Sequence, residues 1–94
     1  MNLDNNKNKK NPSQKAIDII LKFFTSKKLT EAKKEVDNQI AKYPSSFILF
    51  NLLGAILSEQ EQLDEAVKNY KKSISINPNY AQGYNNLGVA LHKL

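Results

Sequence analysis

Apolar residues recur at helical spacing in five segments of the chain, and short polar stretches separate these segments. Within each segment the apolar side chains lie three or four residues apart, a spacing that places them on one face of an α-helix. The pattern predicts helices at about 12–26, 30–43, 46–59, 64–76 and 80–94. The chain is therefore predicted to be all-α, with five helices.

Residues that favour helix ends support these limits. Asn11 is placed to cap the first helix with Pro12 in its first turn, and Thr30 and Asp64 are placed to cap the second and fourth helices. Prolines follow the second and fourth helices, and the residue before a proline avoids helical dihedral angles. The apolar faces expected in the first, second and fourth helices contain Ala16, Ile19, Ile20, Phe23, Ala32, Val36, Ile40, Ala66, Val67, Tyr70 and Ile74.

The pattern also repeats along the chain. The dipeptide Leu53-Gly54 recurs 34 residues later as Leu87-Gly88. A repeat of this length is one supersecondary unit, which buries its apolar face only by stacking on neighbouring units. The sequence therefore predicts a stacked array of helix pairs. The same interval separates Leu29 from Leu63, Ala32 from Ala66, Ile40 from Ile74, and Pro44 from Pro78.

The second repeat carries the residues of a known repeat motif. It reads Phe50-x2-Leu53-Gly54-x2-Leu57, then Ala66-x3-Tyr70, then Pro78, and the third copy has Tyr84, Leu87, Gly88 and Leu91 at the first four places. This pattern resembles that of the tetratricopeptide repeat (TPR) family. The resemblance implies a right-handed α-solenoid of antiparallel helix pairs, with about two and a half TPR units in five helices.

The resemblance divides the chain into a polar tail, residues 1–11, and a TPR domain, residues 12–94. The domain is expected to contain a divergent repeat at 13–46, a well-matched repeat at 47–80 and the first helix of a third repeat at 81–94. The tail consists almost wholly of Asn, Lys and Asp, and we expect it to be disordered.

Small residues are expected where two helices of the array cross closely, at Gly54, Ala66 and Gly88. In the divergent repeat, Ile20 stands at the place of Gly54, and Ala16 replaces the large aromatic residue of the motif. The two helices of that repeat are therefore expected to lie farther apart or to be shifted.

Composition narrows the possible functions. The net charge of +5 invites a nucleic-acid interpretation, but all fourteen basic residues are lysines. None is an arginine, the residue whose planar fork favours phosphate and guanine recognition, so nucleic-acid binding is not predicted. The chain has no cysteine, no predicted membrane span and no secretion signal, and we therefore expect a cytoplasmic protein.

No catalytic or metal site is predicted from the sequence, and no cofactor is expected. His92 is the only histidine, and no nucleophile or carboxylate lies near it in sequence to complete a catalytic relay. The acidic residues within 59–65 lack the spacing and the turn glycine of a calcium-binding loop.

The resemblance also indicates a binding surface. In TPR proteins the first helices of successive repeats line a concave groove that holds an extended peptide. Asparagine amides in such a groove can both donate to and accept from a peptide backbone, although solvated asparagines in an asparagine-rich chain are the alternative interpretation. The corresponding residues here are Ile48, Asn51, Leu52, Ala55, Gln82, Asn85, Asn86, Val89 and His92.

We therefore expect a non-catalytic protein-interaction scaffold that binds a peptide or protein in this groove. The alternative is the N-terminal TPR segment of a larger bacterial enzyme, of the glycosyltransferase or sulfotransferase type, that recruits substrate or mediates assembly. The face of Leu87 and Leu91 lacks its usual next helix, which favours a longer protein over a fifth helix that serves as the cap. Ile17, Leu21 and Phe24 lie outside the packing stripe of the first helix, and we expect them to be covered by another part of the protein or to mediate self-association.

Overall fold

The structure of the protein, a computed structural model, describes residues 10–94, and all regular secondary structure in this range is helical. The prediction of an all-α fold with five helices is confirmed. Residues 1–9 of the predicted polar tail lie outside the described residues, and residues 10–13 precede the first helix. The helices are α1 (Gln14–Thr25), α2 (Leu29–Lys42), α3 (Phe47–Glu59), α4 (Leu63–Ile76) and α5 (Ala81–Lys93).

The helices repeat with the period that the sequence predicts. α2 and α4 begin at Leu29 and Leu63 and have 14 residues each, while α3 and α5 begin at Phe47 and Ala81 and have 13 residues each. Each pair of first residues is 34 positions apart. The repeating unit is therefore one helix, a tight turn and a second helix.

The first helix begins later than predicted. Ser13, not Asn11, is its N-cap, and the Ser13 hydroxyl accepts a hydrogen bond from the backbone N–H of Ala16 at 3.2 Å. The Asn11 side chain instead accepts a hydrogen bond from the hydroxyl of Ser46 at 2.5 Å. The prediction for Asn11 is wrong because this residue joins the chain before α1 to the start of α3.

The predicted caps at Thr30 and Asp64 are also wrong, since both residues lie inside the first turns of α2 and α4. The N-cap residues are Lys28 and Gln62, and neither uses its side chain to cap the helix. Their backbone carbonyls accept the first helical hydrogen bonds at 2.9 Å in both cases. The backbone of the preceding turn, rather than a capping side chain, therefore fixes these helix starts.

That turn has the same form between α1 and α2 as between α3 and α4. Lys27 and Glu61 adopt positive φ angles of 63° and 61°. In each turn this residue and the one after it donate backbone hydrogen bonds to the last turn of the preceding helix, at 2.8 to 3.1 Å. This is the Schellman arrangement, which satisfies carbonyls at a helix end and reverses the chain within a few residues.

The helices pack in sequence order, and α3 also contacts α5. α3 is the central element, with six of its 13 residues buried. No helix within residues 10–94 is long and apolar enough to cross a membrane. The buried apolar core consists of Ile20, Ala32, Val36, Leu49, Leu53, Ile56, Leu57, Ala66, Val67, Tyr70 and Ala90.

The predicted packing face of α1 needs one correction. Ile19 was expected in the core but is 43% exposed, whereas its neighbour Ile20 is fully buried. Adjacent residues on a helix point about 100° apart, so only one of the two can face α2. In α3 the core also includes Leu49 and Ile56, which the repeat motif does not single out.

The closest contact between α3 and α4 places a glycine against an aromatic ring. A Cβ atom on Gly54 would lie 2.6 Å from Cε1 and 2.7 Å from Cδ1 of Tyr70, closer than side chains approach one another. Tyr70 is buried, and this burial, together with the negative charge of Glu59, raises its pKa to about 12. Ala66, in the same helix pair, is fully buried. A close crossing is therefore present at Gly54 and Ala66, as predicted.

The crossing predicted at Gly88 is not found. Within the described residues no side chain lies within 4 Å of a Cβ atom placed on Gly88. On the same face of α5, Tyr84 is 50% and Leu91 is 48% exposed, while Leu57, the counterpart of Leu91 in α3, is buried. The difference arises because α4 covers this face of α3, whereas no helix of residues 10–94 covers it in α5.

Candidate functional site

The residues of the predicted groove come from two helices that contact each other. Within each helix they recur at spacings of one, three or four residues, which places them on one side of that helix. The contact between α3 and α5 brings the two sets together, and we call the nine residues the α3–α5 surface. Its members are Ile48, Asn51, Leu52 and Ala55 from α3, and Gln82, Asn85, Asn86, Val89 and His92 from α5.

Asn51 lies at the bottom of the α3–α5 surface and is only 5% exposed. Its Oδ1 atom accepts a hydrogen bond from Nδ2 of Asn86 at 3.0 Å, and its Nδ2 atom donates to the hydroxyl of Tyr80 at 3.4 Å. The amide of Asn51 is therefore engaged within the protein. A buried amide whose two ends are both hydrogen bonded links α3 to α5 and fixes the orientation of its partners.

Tyr80 is a member of this network that the sequence analysis missed. Its ring packs edge-on against Phe47, with ring centroids 4.9 Å apart and an angle of 66° between the planes. Burial raises the pKa of its hydroxyl, which therefore stays protonated at neutral pH. The available signal was a pair of aromatic residues, one at the start of α3 and one just before α5.

The remaining members of the α3–α5 surface form a largely uncharged patch. On α3, Ile48, Leu52 and Ala55 are half-buried, and Leu52 packs against the core. Asn86 is half-buried on α5. The exposed α5 members are Gln82, Asn85, Val89 and His92.

This arrangement combines amide groups with apolar side chains and contains no lysine or carboxylate. Such a surface can contact the apolar side chains of another protein while its amides bond to that protein's main chain. Charge recognition plays no part in it apart from His92.

A shallow depression of about 440 Å³ borders this surface on α5. It opens on the side of α5 that no helix of residues 10–94 covers, where Gly88 leaves a gap between larger side chains. Its lining residues are Tyr84, Asn85, Gly88, Val89, His92 and Lys93.

The residues of α1 predicted outside its packing stripe have different environments. Phe24 packs against the core, Ile17 is half-buried, and Leu21 is exposed. Self-association through these residues therefore stays a prediction that depends mainly on Leu21. Ile19 lies beside a second depression, of about 260 Å³, whose other lining residues are Lys22, Phe23, Ser26 and Lys28.

Comparison with known families bears on the helices that form the α3–α5 surface. The family model described as TPR repeat matches residues 54–94, which run from the middle of α3 through α4 and α5. Residues 54–94 are a TPR repeat. The resemblance predicted from the motif is thereby confirmed for this part of the chain. No curated protein matches the chain.

TPR repeats generally serve as protein-interaction scaffolds and are typically non-catalytic. The helix order of the chain, in which each helix packs on the next, is consistent with TPR helix pairs. Within residues 10–94, no three acidic or histidine side chains lie close enough together to hold a metal ion.

Proposed function

We propose that the α3–α5 surface binds an extended, uncharged segment of a partner protein. The observation that carries this proposal is the hydrogen bond from Asn86 to Asn51, which occupies one N–H of Asn86 and fixes the orientation of its amide. The carbonyl oxygen of Asn86 makes no hydrogen bond with any residue in the range 10–94. It can therefore accept a hydrogen bond from the main chain of a bound segment.

The neighbours of Asn86 support a main-chain mode of recognition. Gln82 and Asn85 are exposed on the same helix and supply further amide donors and acceptors. Val89 is also exposed, and the half-buried Leu52 lies on the α3 side. Apolar side chains of the segment can pack against these two residues while its backbone is held by the amides.

The network behind Asn86 lowers the entropic cost of binding. Tyr80 holds Asn51, and Asn51 holds Asn86, so the amide that meets the partner has little rotational freedom to lose. Asn51 acts in this scheme as a positioning residue. Because it is buried, it does not touch the partner itself.

A selection from yeast-displayed peptides without charged side chains tests the proposal. We expect peptides to be enriched on the wild-type protein, and the double variant Asn85→Ala with Asn86→Ala to bind them at least about tenfold more weakly. Affinity is measured by titration with the purified peptides, and helicity is checked by circular dichroism.

The matched control is Asn38→Ala, which removes an exposed asparagine from α2, outside the α3–α5 surface. This variant is expected to bind the enriched peptides as the wild type does. If no uncharged peptide is enriched, or if the double variant keeps full affinity, the α3–α5 surface is not the binding site proposed here.

A further inference from the structure

A second surface of α5 has a composition that the proposed function does not explain. Residues 81–91 contain no charged side chain, although one face of this helix is open to solvent. The large apolar residues Tyr84, Val89 and Leu91 are each about half exposed there. An exposed, uncharged helix face with large apolar side chains is typical of an interaction surface.

Four exposed residues of α5 form a stripe on the face that lies open. They are Ala81, Tyr84, Gly88 and Leu91, with spacings of three, four and three residues. Such spacings keep the side chains on one side of a helix. The series is also symmetric about position 86, so that it reads small, large, small, large in one direction and large, small, large, small in the other.

The protein itself shows how a tyrosine packs against a glycine between adjacent helices. In the α3–α4 pair the ring of Tyr70 fills the space in front of Gly54, where a Cβ atom could not be accommodated. In α5 the equivalent space in front of Gly88 is open. One turn away on the same helix, the ring of Tyr84 is half exposed.

We propose that two copies of the chain associate through this stripe as an antiparallel, two-fold symmetric pair of α5 helices. With the symmetry axis near position 86, Tyr84 of each copy packs over Gly88 of the other copy. Leu91 of each copy then faces Ala81 of the other. A large side chain meets a small one at all four levels, which is the self-complementarity that a two-fold interface requires.

The charges of α5 favour the antiparallel orientation. His92 and Lys93 lie in the last turn, and they are the basic residues of this helix. In a parallel pair these two residues would face their own copies, and Tyr84 would meet Tyr84. In the antiparallel pair they lie beside the start of the other α5 helix, and the two helix dipoles oppose each other favourably.

The expected affinity follows from the size of the contact. One pair of three-turn helices buries less than the roughly 1,200 Å² at which stable interfaces begin, so we expect a dissociation constant between about 1 μM and 1 mM. Asn85 and Val89 flank the stripe and line the same depression as Tyr84 and Gly88. The dimer therefore places the two α3–α5 surfaces next to each other.

Sedimentation velocity from about 10 μM to about 1 mM tests the dimer. We expect the wild type to shift from monomer to dimer over this range. Gly88→Ala should weaken association at least about tenfold, because its Cβ atom would meet the Tyr84 ring of the second copy. The same variant should raise the Tm of the dilute monomer by about 3–6 °C, because alanine favours a helix more than glycine and has free space there.

The opposite signs of these two effects separate a lost interface from a misfolded protein. Asn38→Ala, a substitution of similar helix propensity effect on α2, is the control and should dimerise as the wild type does. A wild type that stays monomeric at the highest concentration overturns the proposal. So does a Gly88→Ala variant that dimerises normally.

Cross-linking tests the orientation, because the chain has no native cysteine. An oxidised mixture of the Ala81→Cys and Leu91→Cys variants should give mainly mixed disulfide dimers. Each variant alone should cross-link at least about tenfold less, since the antiparallel pair places position 81 opposite position 91. Efficient cross-linking of either variant alone would show a parallel pair and overturn the proposed geometry.

Discussion

The glycines of the two signature dipeptides have different surroundings, although their sequence positions are equivalent. A side-chain atom on Gly54 would collide with the Tyr70 ring, whereas one on Gly88 would meet nothing within the described residues. A third glycine, Gly83, is buried, and a Cβ atom there would lie 3.1 Å from Tyr80 and 3.2 Å from Ile74. The motif thus predicts where a glycine occurs but not whether a neighbour fills the space it leaves.

Substitution of Gly54 by alanine is expected to destabilise the protein. The new methyl group would lie 2.6 Å from a buried aromatic ring, so α3 and α4 must separate or the ring must leave its position. Overpacking of this kind costs about 1–3 kcal/mol, which outweighs the gain of up to about 1 kcal/mol in helix propensity. Urea-induced unfolding followed by circular dichroism measures the change in the free energy of unfolding.

The double variant Gly54→Ala with Tyr70→Leu serves as the control for this mechanism. A leucine is flexible enough to move away from the new methyl group, so the penalty of the alanine should be smaller in that background than in the wild type. An alanine at position 54 that is harmless with Tyr70 present would mean that the two helices are not held at this distance.

At the scale of single elements, the two Schellman turns show why helix positions were easier to predict than helix ends. The spacing of apolar residues located all five helices, because burial of one face dictates where a helix lies. The ends depended on backbone geometry instead. Lys27 and Glu61 take a left-handed conformation that neither sequence position advertises, since glycine is the usual residue there.

The same limit applies to the candidate site. Its residues were assigned by their place in the motif, and the structure brings α3 and α5 together as that assignment requires. The burial of Asn51 could not be anticipated, because it depends on the Tyr80 hydroxyl reaching across from the start of α5. An amide in such a position is indistinguishable in sequence from a solvated one.

Substitution of Glu61 by glycine should stabilise the protein by about 0.5–1 kcal/mol. Glycine adopts the positive φ of 61° without the steric cost that a side chain incurs, and this gain exceeds its larger loss of backbone entropy on folding. The substitution also removes a negative charge near Asp64 and Glu65. Thermal unfolding at a fixed low concentration measures the effect.

Glu61→Ala separates these two contributions, because it removes the charge but keeps the steric cost of a side chain at positive φ. Its stability should fall below that of Glu61→Gly by most of the expected difference. Equal stabilities of the two variants would show that the left-handed conformation carries no penalty in this turn.

At the scale of the whole molecule, stability depends on how many neighbours each helix has. α3 packs against α2, α4 and α5, while α1 and α5 each have a face that no helix of residues 10–94 covers. In a stacked array the stability is approximately a sum of terms for each unit and for each interface between neighbours. The two ends should therefore open more readily than the centre.

Hydrogen exchange followed by NMR should reveal this gradient. We expect the slowest amides at the buried positions of α3, such as Leu53, Ile56 and Leu57, because they exchange only when the whole fold opens. Amides of α5 should exchange at least about tenfold faster, since that helix can detach from α3 and α4 without disrupting the rest. Gly54→Ala should accelerate exchange in α3 and α4 by weakening their shared interface.

The concentration dependence of exchange connects this gradient to the proposed dimer. If α5 pairs with a second copy, its amides should become better protected as the protein concentration rises, while those of α2 should not change. Gly88→Ala should abolish the concentration dependence but slow exchange in α5 of the dilute monomer, because the alanine strengthens the helix itself. Uniform protection across all five helices at every concentration would contradict both the stepwise packing and the open face of α5.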